Sequence, residues 1–198
     1  MSCCEYSKPQ RKDIVIEEGG FLFNGFLSYC AGCGIVRSEN TTIFDGKLKD
    51  TMNHDTNNEE FRILVCGGRE YGYRTNAETG KKEKYQPEID HIWHTLDLVR
   101  SAISRPLVVI EGEQRGVDLL AREWAEERGL EVRGFPADWD KYGKRAGFIR
   151  NSQMLKEGNP QAVIAFPGNI GTRMMVGLAR REGVPVREFY PLWLTVDK

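Results

Sequence analysis

The 198-residue chain has no long hydrophobic run: its apolar stretches are strand length, well short of the roughly 20 residues a helix needs to cross a bilayer. No membrane-spanning role is expected. It also lacks an excess of charge, with 28 Lys and Arg against 29 Asp and Glu and a formal net charge of −1. Nothing global draws such a chain to nucleic acid or anionic lipid, so any anion binding must come from local geometry. The cysteines do not pair off: there are five, and the start Met1-Ser2-Cys3-Cys4-Glu5 carries neither a basic region nor a secretory apolar stretch. Reduced thiols in a cytoplasmic protein are expected, not a disulfide framework. Internal repeats and low-complexity segments are missing as well. What remains, 40% hydrophobic and 29% charged residues, allows one globular core of moderate size with a small appendage.

The appendage is residues 1–58. Ile14-Val15-Ile16, Phe21-Leu22-Phe23 and Phe26-Leu27 are short apolar clusters divided by Gly19-Gly20 and Asn24-Gly25, which reads as one or two β-hairpins with Asn-Gly as a turn. Cys30-Ala31-Gly32-Cys33-Gly34 follows. A Cys-x-x-Cys of this kind is either half of a structural zinc site, with Cys3, Cys4 or His54 as further ligands, or a plain turn carrying two thiols. Residues 38–60, rich in Asn, Thr, Asp and Lys, read as a polar linker, and the second domain is expected over 59–198.

From Phe61 the pattern becomes regular. Phe61 to Cys66, Leu107 to Ile110, Leu130 to Phe135, Ala162 to Phe166 and Val184 to Tyr190 read as strands. Helices are expected at about 87–104, 117–128, 148–158 and 172–182, with Gly129 and Gly183 just past two of their ends. Repeated strand and helix specify a Rossmann-like, doubly wound α/β fold with a mostly parallel sheet and a small β-rich N-terminal extension. In the first of these helices Ile89, Ile92, Trp93, Leu96 and Val99 form one buried stripe, which puts Trp93 in the core and leaves His91 and His94 on a solvated face. The polar stretch 72–86 is longer than an ordinary βα loop, either a flap over the site or a solvated excursion.

Three strands run into glycine turns, Gly67-Gly68-Arg69, Gly112 to Gly116 and Phe166-Pro167-Gly168-Asn169-Ile170-Gly171-Thr172. If the strands are neighbours, the turns share one edge of the sheet, where ligands bind in open parallel sheets. The last turn, with Thr172 read as the cap of the next helix, has the form of an anion cradle. Arg69, Arg115, Lys144, Arg145 and Arg150 fall at or just past the same edge, so their guanidinium forks and the Lys144 ammonium suit a phosphorylated ligand. Asp118 is either a helix cap or a partner for ribose hydroxyls. Trp139 and Tyr142 are packed aromatics or base-stacking platforms, Tyr71 is an aromatic beside the first turn, and Arg150-Asn151 faces the site or solvent.

Arg62-Ile63-Leu64-Val65-Cys66-Gly67-Gly68-Arg69, Gly112-x-x-Arg115-Gly116-x-Asp118, Pro136-Ala137-Asp138-Trp139 with Gly143, Ala146-Gly147 and Arg150-Asn151, and Phe166-Pro167-Gly168 with Gly171-Thr172 together resemble the YspA-like branch of the SLOG superfamily, over about residues 61–190. The resemblance implies a Rossmann-like domain that binds a nucleotide-derived ligand, in a family of bacteria and phages tied to signalling or conflict. Its ligand-contacting turns fall on Gly67, Gly68 and Arg69, on Gly112, Arg115, Gly116 and Asp118, and on Pro167, Gly168, Gly171 and Thr172. Glu113 and Gln114 stand where the family has small residues. The superfamily also holds the lonely-guy phosphoribohydrolases, which resemblance makes the alternative: an N-glycosidase. Their turn is followed by a glutamate, whereas here Arg173-Met174-Met175 follows and Asn169 replaces a glycine. A carboxyl acid must then come from elsewhere, with Glu111 and Asp138 the leading candidates and Glu113 and Asp118 the others. No cofactor is expected beyond the zinc option, the partner is a nucleotide-derived small molecule and not nucleic acid, and a homodimer or higher homo-oligomer is open.

Overall fold

The computed structural model describes residues 24–29, 36–42 and 60–190. The chain divides into two units, and the first holds an antiparallel pair, β1 (Asn24–Tyr29) and β2 (Val36–Thr42), in register from Tyr29 opposite Val36 to Asn24 opposite Thr42. Two expectations change here. Asn24-Gly25 opens a strand, next to a register shift, and is not a hairpin turn; Val36–Thr42 is a strand, although its later residues read as linker. The apolar clusters at 14–16 and 21–23, and Cys3, Cys4, Cys30, Cys33 and His54 with the zinc option, lie outside the described residues.

The second unit is built on five parallel strands, β3 (Phe61–Cys66), β6 (Leu107–Glu111), β7 (Glu131–Gly134), β8 (Ala162–Ala165) and β9 (Val186–Glu188), in the order β7-β6-β3-β8-β9. The chain moves outward from β3 to β6 to β7, then returns to the other side of β3 for β8 and β9. This reversal between β3 and β8 is the topological switch point of a doubly wound sheet, and it opens a crevice above their carboxyl ends. The fold is α/β and Rossmann-like.

The three central strands are largely apolar, with Arg62 in β3 and Glu111 at the end of β6 as exceptions, because both their faces are covered. Leu64, Cys66, Ile110, Val163 and Ala165 point to one side, where they pack with Met154 and Leu155 of α4 (Ala146–Lys156) and Met175, Val176 and Ala179 of α5 (Ile170–Arg181). Alternation sends Ile63, Val65 and Val109 to the other side. There α1 (Gln86–Ser101) and α2 (Val117–Glu127) meet, the Trp93 indole donating to the Leu120 carbonyl at 3.1 Å. Each large aliphatic side chain buried this way contributes about 1.5–3 kcal/mol, which is why a sheet of short strands suffices.

Some element expectations need correction. The helix expected at 148–158 is α4, which starts two residues earlier, and the stretch before it, read as a loop, holds a short helix, α3 (Trp139–Tyr142), and a 3-10 turn at Gly143–Arg145. The helix after β8 starts at Ile170 with Asn169 as its N-cap, so Thr172 lies in its first turn and caps nothing. Stretch 72–86 contains a small antiparallel ribbon, β4 (Tyr73–Thr75) with β5 (Lys82–Lys84). It is tied down by Arg74 on Glu88, Lys84 on Glu123 and the Gly72 N–H on Glu88 at 2.7 Å. His91 is not solvated: Tyr71 shares a 2.8 Å hydrogen bond with its Nδ1, Phe166 and Phe189 meet its ring edge to face, and burial lowers its pKa to about 4. Trp93 is half-buried, and the Nε2 of His94 is buried without a hydrogen-bond partner.

Candidate functional site

The glycine turns converge because their backbones cross. The Gly68 N–H donates to the Pro167 carbonyl at 2.8 Å, and the Gly68 carbonyl accepts the Val117 N–H at 3.3 Å. At Gly68 a Cβ would sit 2.9 Å from the Pro167 oxygen; at Gly116, which has φ of 92°, a Cβ would run into the Gly68 carbonyl. These glycines are demanded by loop-on-loop contact, and that contact holds the ends of β3, β6 and β8 together.

Above the crossing lies a cleft of about 430 Å³, bounded by the β3 turn, the start of α5 and one face of α4. Asn169, Ile170, Gly171 and Thr172 line it. Asn169 supplies no side-chain cap, and the first N–H to close a bond within α5 is that of Arg173, to the Asn169 carbonyl. The N–H groups of the first turn therefore open toward the cleft with the positive end of the helix behind them. This is an anion site in form.

α4 contributes one face, in which Gly147, Arg150, Asn151 and Met154 recur at helical spacing and all line the cleft. Arg150 is buried. Its Nη1 donates to the Gly112 carbonyl, its Nε donates to Asn151 Oδ1 at 3.1 Å, and Asp118 Oδ2 lies 3.7 Å from Nη1. Asn151 Nδ2 in turn donates to the Gly171 carbonyl at 3.1 Å, fixing the start of α5. Asp118 caps nothing on its own helix: it is buried at the cleft floor, accepts from the backbone N–H groups of Gly112 and Gln114, and has its pKa pushed up by burial to about 7. Burial pulls the Arg150 guanidinium the other way, below its usual range, with Asp118 opposing. Cys66, also on the floor, has its thiol pushed up by burial and stays protonated, which removes it as a nucleophile.

The residues singled out from sequence divide into three groups. Gly67, Gly68, Arg69, Asp118, Trp139, Arg150, Asn151, Asn169, Gly171 and Thr172 are brought together at the cleft, with Lys144. Gly112, Gly116, Pro167 and Gly168 stand behind it as framework: the Gly112 carbonyl holds Arg150, Gly116 backs Gly68, and a Cβ on Gly168 would strike Thr172 Oγ1. The rest face elsewhere. Arg115 pairs with Glu70, which also takes Lys82; Tyr71 is buried on His91; Arg145 and Tyr142 are exposed off the lining.

Neither leading carboxyl candidate reaches the cleft. Glu111 ends β6 opposite Gly134 of β7, fully buried, held by Arg122 and by the Glu113 N–H at 2.6 Å. Burial nonetheless raises its pKa. Glu113 bonds the same Arg122 at 2.7 Å from a backbone with φ of 55°. Asp138 is exposed and caps α3, accepting the Lys141 N–H at 2.9 Å. Phe148, Met154 and Met175 of the lining escaped sequence reading, although Met154 lies four residues past Arg150 and Met175 three past Thr172, spacings that share a helix face.

A doubly wound α/β domain of this kind takes its ligands in the open crevice at its switch point, which here is floored by glycine turns and an uncapped helix start. The family described as "YspA, cpYpsA-related SLOG family" matches residues 61–142. "Gene 61 protein" of Mycobacterium phage D29 is 33% identical over 139 residues, 65% of this chain and 95% of that protein. No solved structure matches the chain. The chain belongs to the YspA, cpYpsA-related SLOG family. Among the described residues no helix is long and apolar enough to cross a membrane.

Proposed function

We propose that the cleft binds a phosphorylated, nucleotide-derived small molecule, which the protein senses or sequesters in the cytoplasm of a bacterium or a phage-infected cell. One observation carries the reading: the uncapped start of α5 opens into a cleft that also holds Arg69, Lys144 and Arg150. Backbone N–H groups and a guanidinium fork together favour phosphate over carboxylate or a neutral sugar. Asp118 at the floor suits ribose hydroxyls, and the exposed Trp139 at the rim suits a base. The phage relative is consistent with a place among phage-borne or bacterial systems.

N-glycosidic cleavage is a second reading, favoured by Asp118 alone. A carboxyl in the cleft whose pKa burial pushes up to about 7 keeps its proton to a higher pH than an ordinary aspartate and is suited to protonate a departing base. One incubation separates the two. Purified protein is mixed with a panel of nucleoside monophosphates, cyclic nucleotides and ADP-ribose derivatives, denatured, and the small molecules are identified by mass spectrometry. Intact nucleotide recovered with the protein supports binding; free base in stoichiometric excess over protein supports cleavage. Recovery of neither removes both.

A further inference from the structure

The guanidinium of Arg69 is in an unusual position for a cation beside an anion site. Its backbone is clamped, since Arg115 Nε reaches the Arg69 carbonyl at 3.4 Å and Gly116 packs against its Cα. Among the described residues its side chain has no ion-pair partner and no hydrogen-bond acceptor. What it meets is the face of Trp139, with the guanidinium carbon 5.5 Å from the ring centroid. Both residues line the cleft, and Trp139 is 43% exposed on the four-residue helix α3 at the rim.

That spacing excludes a third body. A flat ring inserted between guanidinium and indole needs two van der Waals layers, about 7 Å in all. A base can therefore take this face of Trp139 only after Arg69 leaves it. An exposed cation–π contact is weak, whereas a guanidinium paired with a phosphate makes charge-assisted, often bidentate bonds, so an arriving phosphate is able to move Arg69.

We propose that Arg69 and Trp139 form a ligand-displaced clasp that selects molecules carrying both an anionic group and a planar ring: the anion draws the guanidinium off the indole, and the ring takes the face it vacates. The clasp rests on the reading that this cleft binds a nucleotide-derived ligand. It adds a rule to that reading, namely that each half of the ligand assists the other. A nucleoside without phosphate must displace Arg69 unaided, and phosphate without a base leaves the indole bare.

Titration calorimetry of the full chain with AMP, GMP, CMP and UMP, and with the matching nucleosides, tests this in wild type, Arg69→Gln, Arg69→Lys and Trp139→Ala. Arg69→Gln should weaken the preferred monophosphate at least about tenfold, the cost of a lost charge-assisted contact. The same change should tighten the matching nucleoside by about two- to fivefold, because the indole is no longer covered. Trp139→Ala should cost about tenfold for monophosphate and nucleoside alike. Arg69→Lys, which keeps the charge, should recover part of the monophosphate affinity and shows that loss in the glutamine variant is not unfolding. The opposite signs for nucleoside and monophosphate in Arg69→Gln are the signature, since a merely structural role would weaken both. If wild type binds monophosphates and Arg69→Gln weakens both forms, or Trp139→Ala changes neither, the clasp is overturned and the binding reading stands. If wild type binds none of the four, nor any cyclic nucleotide or ADP-ribose derivative of the panel above, the binding reading falls and the clasp with it.

Discussion

Two titratable residues, the buried Asp118 and the half-buried His91, are displaced in opposite directions by the same main cause, loss of water. The Asp118 carboxyl moves from 3.8 up to about 7, and the His91 imidazole from 6.5 down to about 4. An acid raised in the folded state holds its proton more firmly there, so its contribution to stability is complete below about pH 4 and lost as pH climbs to about 7. A histidine lowered in the folded state behaves in reverse, with stability lost as pH falls from about 6.5 to about 4. Over most of that window the two oppose each other. Relative to wild type, Asp118→Asn should therefore gain stability as pH rises from about 4 to about 7, at up to roughly 1.4 kcal/mol per pH unit. His91→Gln should show the opposite trend relative to wild type. Urea unfolding across the window checks both, and profiles parallel to wild type would contradict them. The position of His91 was not legible in sequence. It lies off the Ile89-Ile92-Leu96 stripe and is covered by Tyr71, Phe166 and Phe189, which arrive from other elements.

The parallel sheet was readable because β3, β6 and β8 are short, largely apolar runs that lead into glycine turns, a pattern that few alternatives share. The start of α5 was misread. Asn169 turns into the helix from extended backbone, and a β-branched isoleucine takes the first helical position where Thr172 looked like the cap. The β4–β5 ribbon was invisible for a related reason: Lys82, Glu83 and Lys84 are all exposed, so no alternation marks them as a strand. The glycines foretold the convergence of the turns but not its mechanism, which is backbone crossing. Gly116→Ala, at positive φ and against the Gly68 carbonyl, should cost about 1–3 kcal/mol or more in thermal unfolding. Gly177→Ala is the contrast. It has open space around it in α5 and should stabilise by about 0.5–1 kcal/mol. Equal effects at the two sites would refute a crossing-specific role. Gly171 separates folding from binding: it too has open space in the first turn of α5, so Gly171→Asp should stabilise by about 0.3–1 kcal/mol through the helix dipole while abolishing anion binding. Calorimetry and nucleotide titration of that one variant check both halves.

For the molecule as a whole, near-neutral charge and a local anion site make one combined expectation. Affinity for a mononucleotide should vary gently with salt, whereas a nucleic-acid binder that neutralises several phosphates loses affinity steeply. A steep salt dependence of oligonucleotide affinity would instead point to an extended interface. All of this depends on phosphate meeting the start of α5 at the point where the sheet reverses. Amide chemical-shift mapping during titration with a nucleoside monophosphate reads that contact directly. Binding as described predicts that the largest shifts fall on Ile170, Gly171 and Thr172, with smaller ones at Gly67 and Gly68; saturable binding that leaves those three amides unmoved would contradict it.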